Sequence, residues 1–225
     1  MQLRLHPRTL FLLALVQATV VTLGLFVVRV IRNGNGDYNY LAWNLFLAWL
    51  PLLFALWLTR ILRTKLWSSW EGVGVSGLWL LFLPNSFYMI SDFIHLQGIA
   101  TVDLLYDAVM FTAFIYLGLT LGFSGLYLVH LELKKRYNAI RSASVIGGVL
   151  LLASFAIYLG RDLRWNSWDV LTNPAGLLFD ISDRLLAPSG YGTIALTVGS
   201  FFALLASMYA LVWCAVRLVR KTAHD

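Results

Sequence analysis

Six apolar stretches, at about residues 10–28, 41–62, 73–90, 104–131, 144–159 and 193–219, take up most of this 225-residue chain. Each is close to the roughly 20 residues that a helix needs to cross the hydrocarbon of a bilayer. Strands are excluded, because an isolated strand leaves its backbone unpaired in lipid, and no ten-residue alternating pattern points to a barrel. The sequence therefore predicts an all-α integral membrane bundle of about six transmembrane helices, a single domain over residues 1–225.

Composition leaves no room for anything else. Hydrophobic residues make up 60% of the chain and charged residues 12%, with a mean hydropathy of +0.75. A soluble domain has about a quarter of its residues charged. The net charge of +6 does not signal nucleic acid, since Lys and Arg sit in short loops between the apolar stretches. The expected partner is the lipid bilayer, and the sequence sets no oligomeric state. The only cysteine, Cys214, lies in the last apolar stretch, so no intramolecular disulfide is available. Arg4, His6 and Arg8 precede the first stretch as in a signal peptide. That stretch is longer than a signal core and no small-x-small pattern follows it, so it reads as an uncleaved span.

Loop charge gives an orientation. With the N-terminus inside, the inner loops hold Arg4, Arg8, Arg60, Arg63, Lys65, Lys134, Lys135, Arg136, Arg141, Arg217, Arg220 and Lys221. The outer side keeps Arg29, Arg32, Arg161, Arg164 and Arg184. This bias predicts both termini in the cytoplasm. Most of the acidic residues then lie outside. The long connection 161–192 becomes an extracytoplasmic loop, with turns at Asn173-Pro174 and Pro188-Ser189-Gly190 and a short interfacial helix between them.

The scarce polar side chains converge on the same outer ends. Asn44 opens span 2; Asn85, Asp92 and His95 close span 3; Asp103 and Asp107 enter span 4; Arg161, Arg164 and Asn166 leave span 5. Asp92 and His95, three apart, and Asp103 and Asp107, four apart, would each share a helix face. A carboxylate well inside the hydrocarbon costs on the order of 3 kcal/mol, so such residues face the bundle and pair. Arg161 and Arg164 are the expected partners, since a guanidinium bridges a carboxylate with two parallel hydrogen bonds. Within the spans, Gly118 and Gly122 stand four apart and predict close helix packing inside the bundle. Pro51 and Pro84 each free the carbonyl four residues earlier.

Three motifs resemble those of a bacterial membrane family, domain-of-unknown-function family 1361. They are Trp43-Asn44-Leu45-Phe46-Leu47-Ala48-Trp49, the stretch from Leu83-Pro84-Asn85 to Ser91-Asp92-Phe93-Ile94-His95-Leu96, and the run from Tyr158-Leu159-Gly160-Arg161-Asp162 to Trp165-Asn166-Ser167-Trp168-Asp169. The resemblance implies a multi-pass protein of the bacterial inner membrane. Where that family's pattern has Ala-Pro after the span-3 asparagine, this chain has Ser86-Phe87.

Three functional readings follow. In the first, Asp92, Asp107, Arg161 and Arg164 form a structural ion-pair network, with Trp43, Trp165 and Trp168 in the interfacial aromatic belt. In the second, Asp92, His95, Asp103 and Asp107 hold a divalent cation for a membrane enzyme. Catalysis would then fall to Asp92, His95 and Asp107. Asn44, Asn85, Arg161, Arg164 and Asn166 would bind a lipid or another phosphate-bearing substrate. A carboxylate-rich set with one histidine suits Mg²⁺ or Mn²⁺ better than zinc. In the third, Asn85 and Asp107 line a transport path, although spans 1 and 6 are nearly free of polar side chains. A subunit role in a larger membrane complex is the remaining alternative.

Overall fold

The structure, a computed structural model, describes residues 6–33, 38–96, 104–165, 167–186 and 191–222. Among these, every regular element is helical. In chain order they are α1 (Pro7–Asn33), α2 (Asn39–Ile61), α3 (Trp70–Tyr88), a 3-10 segment (Met89–Leu96), α4 (Leu104–Lys134), α5 (Ala139–Asp162), α6 (Asp169–Thr172), α7 (Pro174–Leu186) and α8 (Tyr191–Thr222). Six of them, α1 to α5 and α8, are long and apolar enough to cross a membrane. They match the six apolar stretches one for one.

Three helix starts are capped by side chains the sequence supplies. Ser69 Oγ accepts from Gly72 N at 3.1 Å, Asn138 Oδ1 from Arg141 N at 2.8 Å and Asn173 Oδ1 from Gly176 N at 3.1 Å. Each satisfies a backbone donor that the first turn of a helix leaves without a partner. Pro174 then fills the first position of α7, where its missing N–H removes nothing. Asn173-Pro174, expected as a turn, is thus the start of the helix predicted between the two turns.

α4 is the central helix. In its most apolar window 67% of residues are buried, against 11% in α1 and in α8, which lie on the outside of the bundle. Exposed side chains such as Leu13, Val20 and Ile31 on α1 or Leu196 and Leu211 on α8 are the surface that a bilayer solvates and water does not. α2 packs closely on α3 and α4, α5 on α3 and α8, and α1 on α4.

The glycines of α4 determine how near α3 comes. A methyl group at Gly118 would stand 2.7 Å from the Ser86 carbonyl oxygen and from Met89 Sδ, and one at Gly122 2.6 Å from Phe87 Cε1. The pair therefore faces α3 and the segment after it, as packing within the bundle requires. Gly125 performs the same service toward α2, with Pro51 O at 3.3 Å from its would-be Cβ. Ser86 Oγ donates to Ala48 O at 2.9 Å, beside the break that Pro51 makes in α2. Ser86-Phe87 thus fits a sheath of close contacts between α2, α3 and α4.

Candidate functional site

The polar side chains at the Asp92 end of the bundle fall into two groups. The first belongs to α1. This helix buries Leu15, Thr22 and Arg29, spaced by seven and therefore on one face two turns apart. Trp49 Nε1 donates to Thr19 Oγ1 at 3.2 Å, and Tyr106 OH donates to Leu25 O at 2.7 Å. At the end of the stripe Arg29 Nε donates to Asp107 Oδ1 at 3.3 Å, the side chains being 3% and 2% exposed. The guanidinium also lies 4.2 Å from the centroid of the Tyr38 ring, a cation–π contact whose value rises when it is desolvated. Phe26 meets Phe114 edge-on beside it.

This corrects the sequence expectation for Asp107. The arginine that reaches it is Arg29, not Arg161 or Arg164. Apolar stretch 10–28 stopped one residue short of Arg29, but α1 runs on to Asn33, so the arginine is inside the helix and facing α4. Span 1 is accordingly not free of buried polar groups.

The second group surrounds a cavity of about 370 Å³ between α2, α3, α5 and the segment that follows α5. Its polar lining comes from Tyr40, Asn44, Asn85, Tyr88, Asp92 and Ser167, and its aromatic walls include Trp43, Trp165 and Trp168. Leu47, Leu81, Ala156 and Leu159 make the side toward the middle of the bundle, and Leu177 of α7 reaches it from the other side. Asp92 is 1% exposed and accepts from Asn44 Nδ2 at 3.3 Å. It forms no ion pair among the described residues. The Arg161 charge acts on both Asp92 and Tyr40, so Arg161 belongs to this group without lining the cavity.

Asn85 is fixed through its amide nitrogen. Its Nδ2 donates to Phe82 O at 3.1 Å and to Ser167 Oγ at 2.9 Å, tying α3 to the loop after α5. That loop is shaped by Arg164, the one described non-glycine residue with positive φ, at 59°. The turn lets Trp165 N donate back to Leu159 O at 3.2 Å. Trp165 Nε1 then donates to Asp180 Oδ2 at 2.9 Å, which seats α7 beside the cavity. Near the end of α5 the helix passes close to Tyr88 of α3, since a Cβ at Gly160 would stand 3.1 Å from Tyr88 Cε2.

Of the residues singled out from sequence, Asn44, Asn85 and Asp92 meet at this cavity, and Arg161 acts on it. Arg164 is exposed and makes a turn; it contributes no side chain to the lining. Asp107 is engaged at the α1–α4 contact. Asp103, Asn166 and the His95 side chain lie outside the described residues. Among the described residues no three His, Cys, Asp or Glu side chains gather as metal ligands do. Sequence reasoning passed over Arg29, Tyr40, Ser167 and the Trp165–Asp180 contact. The seven-residue stripe Leu15–Thr22–Arg29 was the available signal for the first; the others depend on a loop whose path no periodicity encodes.

A bundle of six helices long and apolar enough to cross a bilayer is a multi-pass membrane protein. Within that class, the family described as "Protein of unknown function (DUF1361)" matches residues 43–208, well over half of the chain. The chain belongs to this family. No curated protein and no solved structure matches it.

Proposed function

We propose that this chain is a multi-pass protein of a bacterial plasma membrane, with both termini in the cytoplasm, whose outward-facing cavity binds a small organic cation or a lipid head carrying one. Loop charge supports the orientation, because the basic residues concentrate on the side opposite Asp92. In this reading the two polar groups have separate tasks. Arg29–Asp107 is structural and holds α1 to α4. The cavity is the binding site.

The observation that carries the proposal is Asp92. A nearly inaccessible carboxylate lines the cavity among aromatic rings, with one hydrogen bond among the described residues, from Asn44. An ionisable group at this depth is costly unless it is used. Aromatic faces favour an organic cation, whereas a hard metal ion takes roughly six or more oxygen ligands and Asp92 is the one carboxylate among the described lining residues. Asn85, Tyr88 and Ser167 supply hydrogen-bonding groups for the rest of a polar head, and the leucines accommodate an apolar body. The volume of about 370 Å³ falls in the range of small-molecule sites. Arg161 gives Asp92 a counter-charge.

The test is a thermal-shift titration of the purified full chain in mild detergent, with choline, ethanolamine and tetramethylammonium against Mg²⁺ and inorganic phosphate. An organic cation at about 100 times its Kd should stabilise the protein by about 2.7 kcal/mol, and D92N should abolish the effect. The reading fails if none of the cations shifts the melt, if D92N responds like the parent, or if Mg²⁺ alone does so.

A further inference from the structure

The opposite end of the bundle holds a second cluster that the cavity does not use. His130 of α4 and Tyr209 of α8 are each 5% exposed, and His130 Nδ1 lies 2.9 Å from Tyr209 OH. The Trp213 indole stacks on His130 with centroids 4.0 Å apart and planes 20° apart. One helical turn further on, each helix adds a cation: Lys134 follows His130 by four residues, and Arg217 follows Trp213 by four. Both cations reach the same indole. Lys134 Nζ is 5.2 Å and Arg217 Cζ 5.3 Å from its centroid. Tyr127 abuts Trp213 at 5.5 Å between centroids, and Arg220 lies 5.8 Å from the Tyr127 ring.

Three like charges are thus gathered around two touching rings, and no described carboxylate neutralises them. The two carboxylates described at this end are taken elsewhere, Glu132 by Lys135 at 2.6 Å and Glu71 by Lys65. Cation–π contact offsets part of the repulsion between the cations, and an anion among them would offset more. Position selects which anion. Lys134 is the last residue of α4 and Arg217 lies in the last turns of α8. Both helices span the membrane, so these side chains sit at the level where lipid phosphates lie. Indole rings favour the same level.

We infer that Lys134, Arg217 and Arg220, arrayed on the Trp213–Tyr127 platform, form a binding site for the phosphate of one anionic phospholipid. The phosphate accepts charge-assisted hydrogen bonds from the cations. The occupant also serves the fold, because α8 is among the least buried spans and a lipid bridging Lys134 to Arg217 joins it to α4.

The site is tested by native mass spectrometry of the delipidated full chain in mild detergent, titrated with phosphatidylglycerol and with phosphatidylcholine of identical acyl chains. The wild type should retain one phosphatidylglycerol with about thirtyfold preference or more, as expected for two or three basic side chains at a charged surface. K134Q/R217Q should lose that preference. R60Q/R63Q, which removes the same charge from the end of α2 and the turn after it, should keep it. Where the double variant does not fold, the single R217Q at an exposed position should lose about fivefold. Equal loss in K134Q/R217Q and R60Q/R63Q would mean diffuse attraction and overturn the site. So would preference unchanged in K134Q/R217Q, or no preference in the wild type.

Discussion

Arg29 and Asp107 face one another across the α1–α4 contact with only 3% and 2% of their side chains exposed, joined through Nε and Oδ1 at 3.3 Å. In a membrane bundle this pair has no water to fall back on. Breaking one partner leaves the other as an uncompensated buried charge, which costs about 3–5 kcal/mol. D107N should therefore lower the thermal midpoint of the purified protein sharply, and R29M should do the same. The double variant R29M/D107L should recover much of the loss, because two apolar groups leave no orphaned charge. Melting curves of the three variants in one detergent decide the matter. A D107N protein with wild-type stability would remove this pair from the account of how α1 is held.

Gly122 makes a sharper test of packing. A Cβ there would stand 2.6 Å from Phe87 Cε1 and 2.8 Å from Ser86 Cβ, whereas one at Gly74 meets nothing within 4 Å. Forcing a methyl group into a filled helix contact costs about 1–3 kcal/mol. G122A should destabilise by that amount, and G74A should be neutral or slightly stabilising, since alanine is the better helix former. Chemical or thermal unfolding of both variants checks the contrast; equal effects would contradict the close approach of α3 to α4.

The sequence made the spans legible because lipid leaves the backbone few choices. Apolar length, basic loops and the Gly118–Gly122 spacing each carry a physical constraint that acts locally. The convergence of Asn44, Asn85 and Asp92 was legible too, since an up-down chain returns alternate helix ends to one side. Pairing was not. Asp107 met Arg29 because α1 continues past its apolar stretch, and helix ends are set by capping and tertiary contacts as much as by hydropathy. Ser167 and Trp165 found their partners through a left-handed residue at Arg164, a conformation that an arginine does not announce.

That residue supplies a prediction of its own. Arg164 holds φ at 59° immediately after α5 and is exposed. The left-handed conformation costs a side-chain-bearing residue roughly 1–2 kcal/mol that glycine does not incur. R164G should leave stability unchanged or raise it, and ligand binding in the cavity should persist, because the backbone turn is what positions Trp165. R164A should stay near wild type in both respects. A loss of ligand response in both variants, with stability intact, would show instead that the guanidinium itself contacts the ligand.

Trp165 and Asp180 govern how α7 sits. The indole N–H donates to the carboxylate at 2.9 Å, and Leu177 on the same helix lines the cavity. Leu178 and Phe179 are exposed at 64% and 71%, so they add little to the packing of α7 on the bundle, which relies on this contact. A hydrogen bond to a charged acceptor contributes about 1.5–3 kcal/mol, and its loss should raise the open fraction of α7 at least about tenfold. D180A should speed amide exchange across Pro174–Leu186 accordingly while leaving exchange in α2 to α4 as it was. Asp183 is exposed on the same helix with no hydrogen bond or ion pair among the described residues, so D183A is the matched control. Hydrogen-exchange mass spectrometry of the two variants reads this directly. If both exchange alike, α7 is held by something other than the tryptophan, and ligand entry past it would not respond to Asp180.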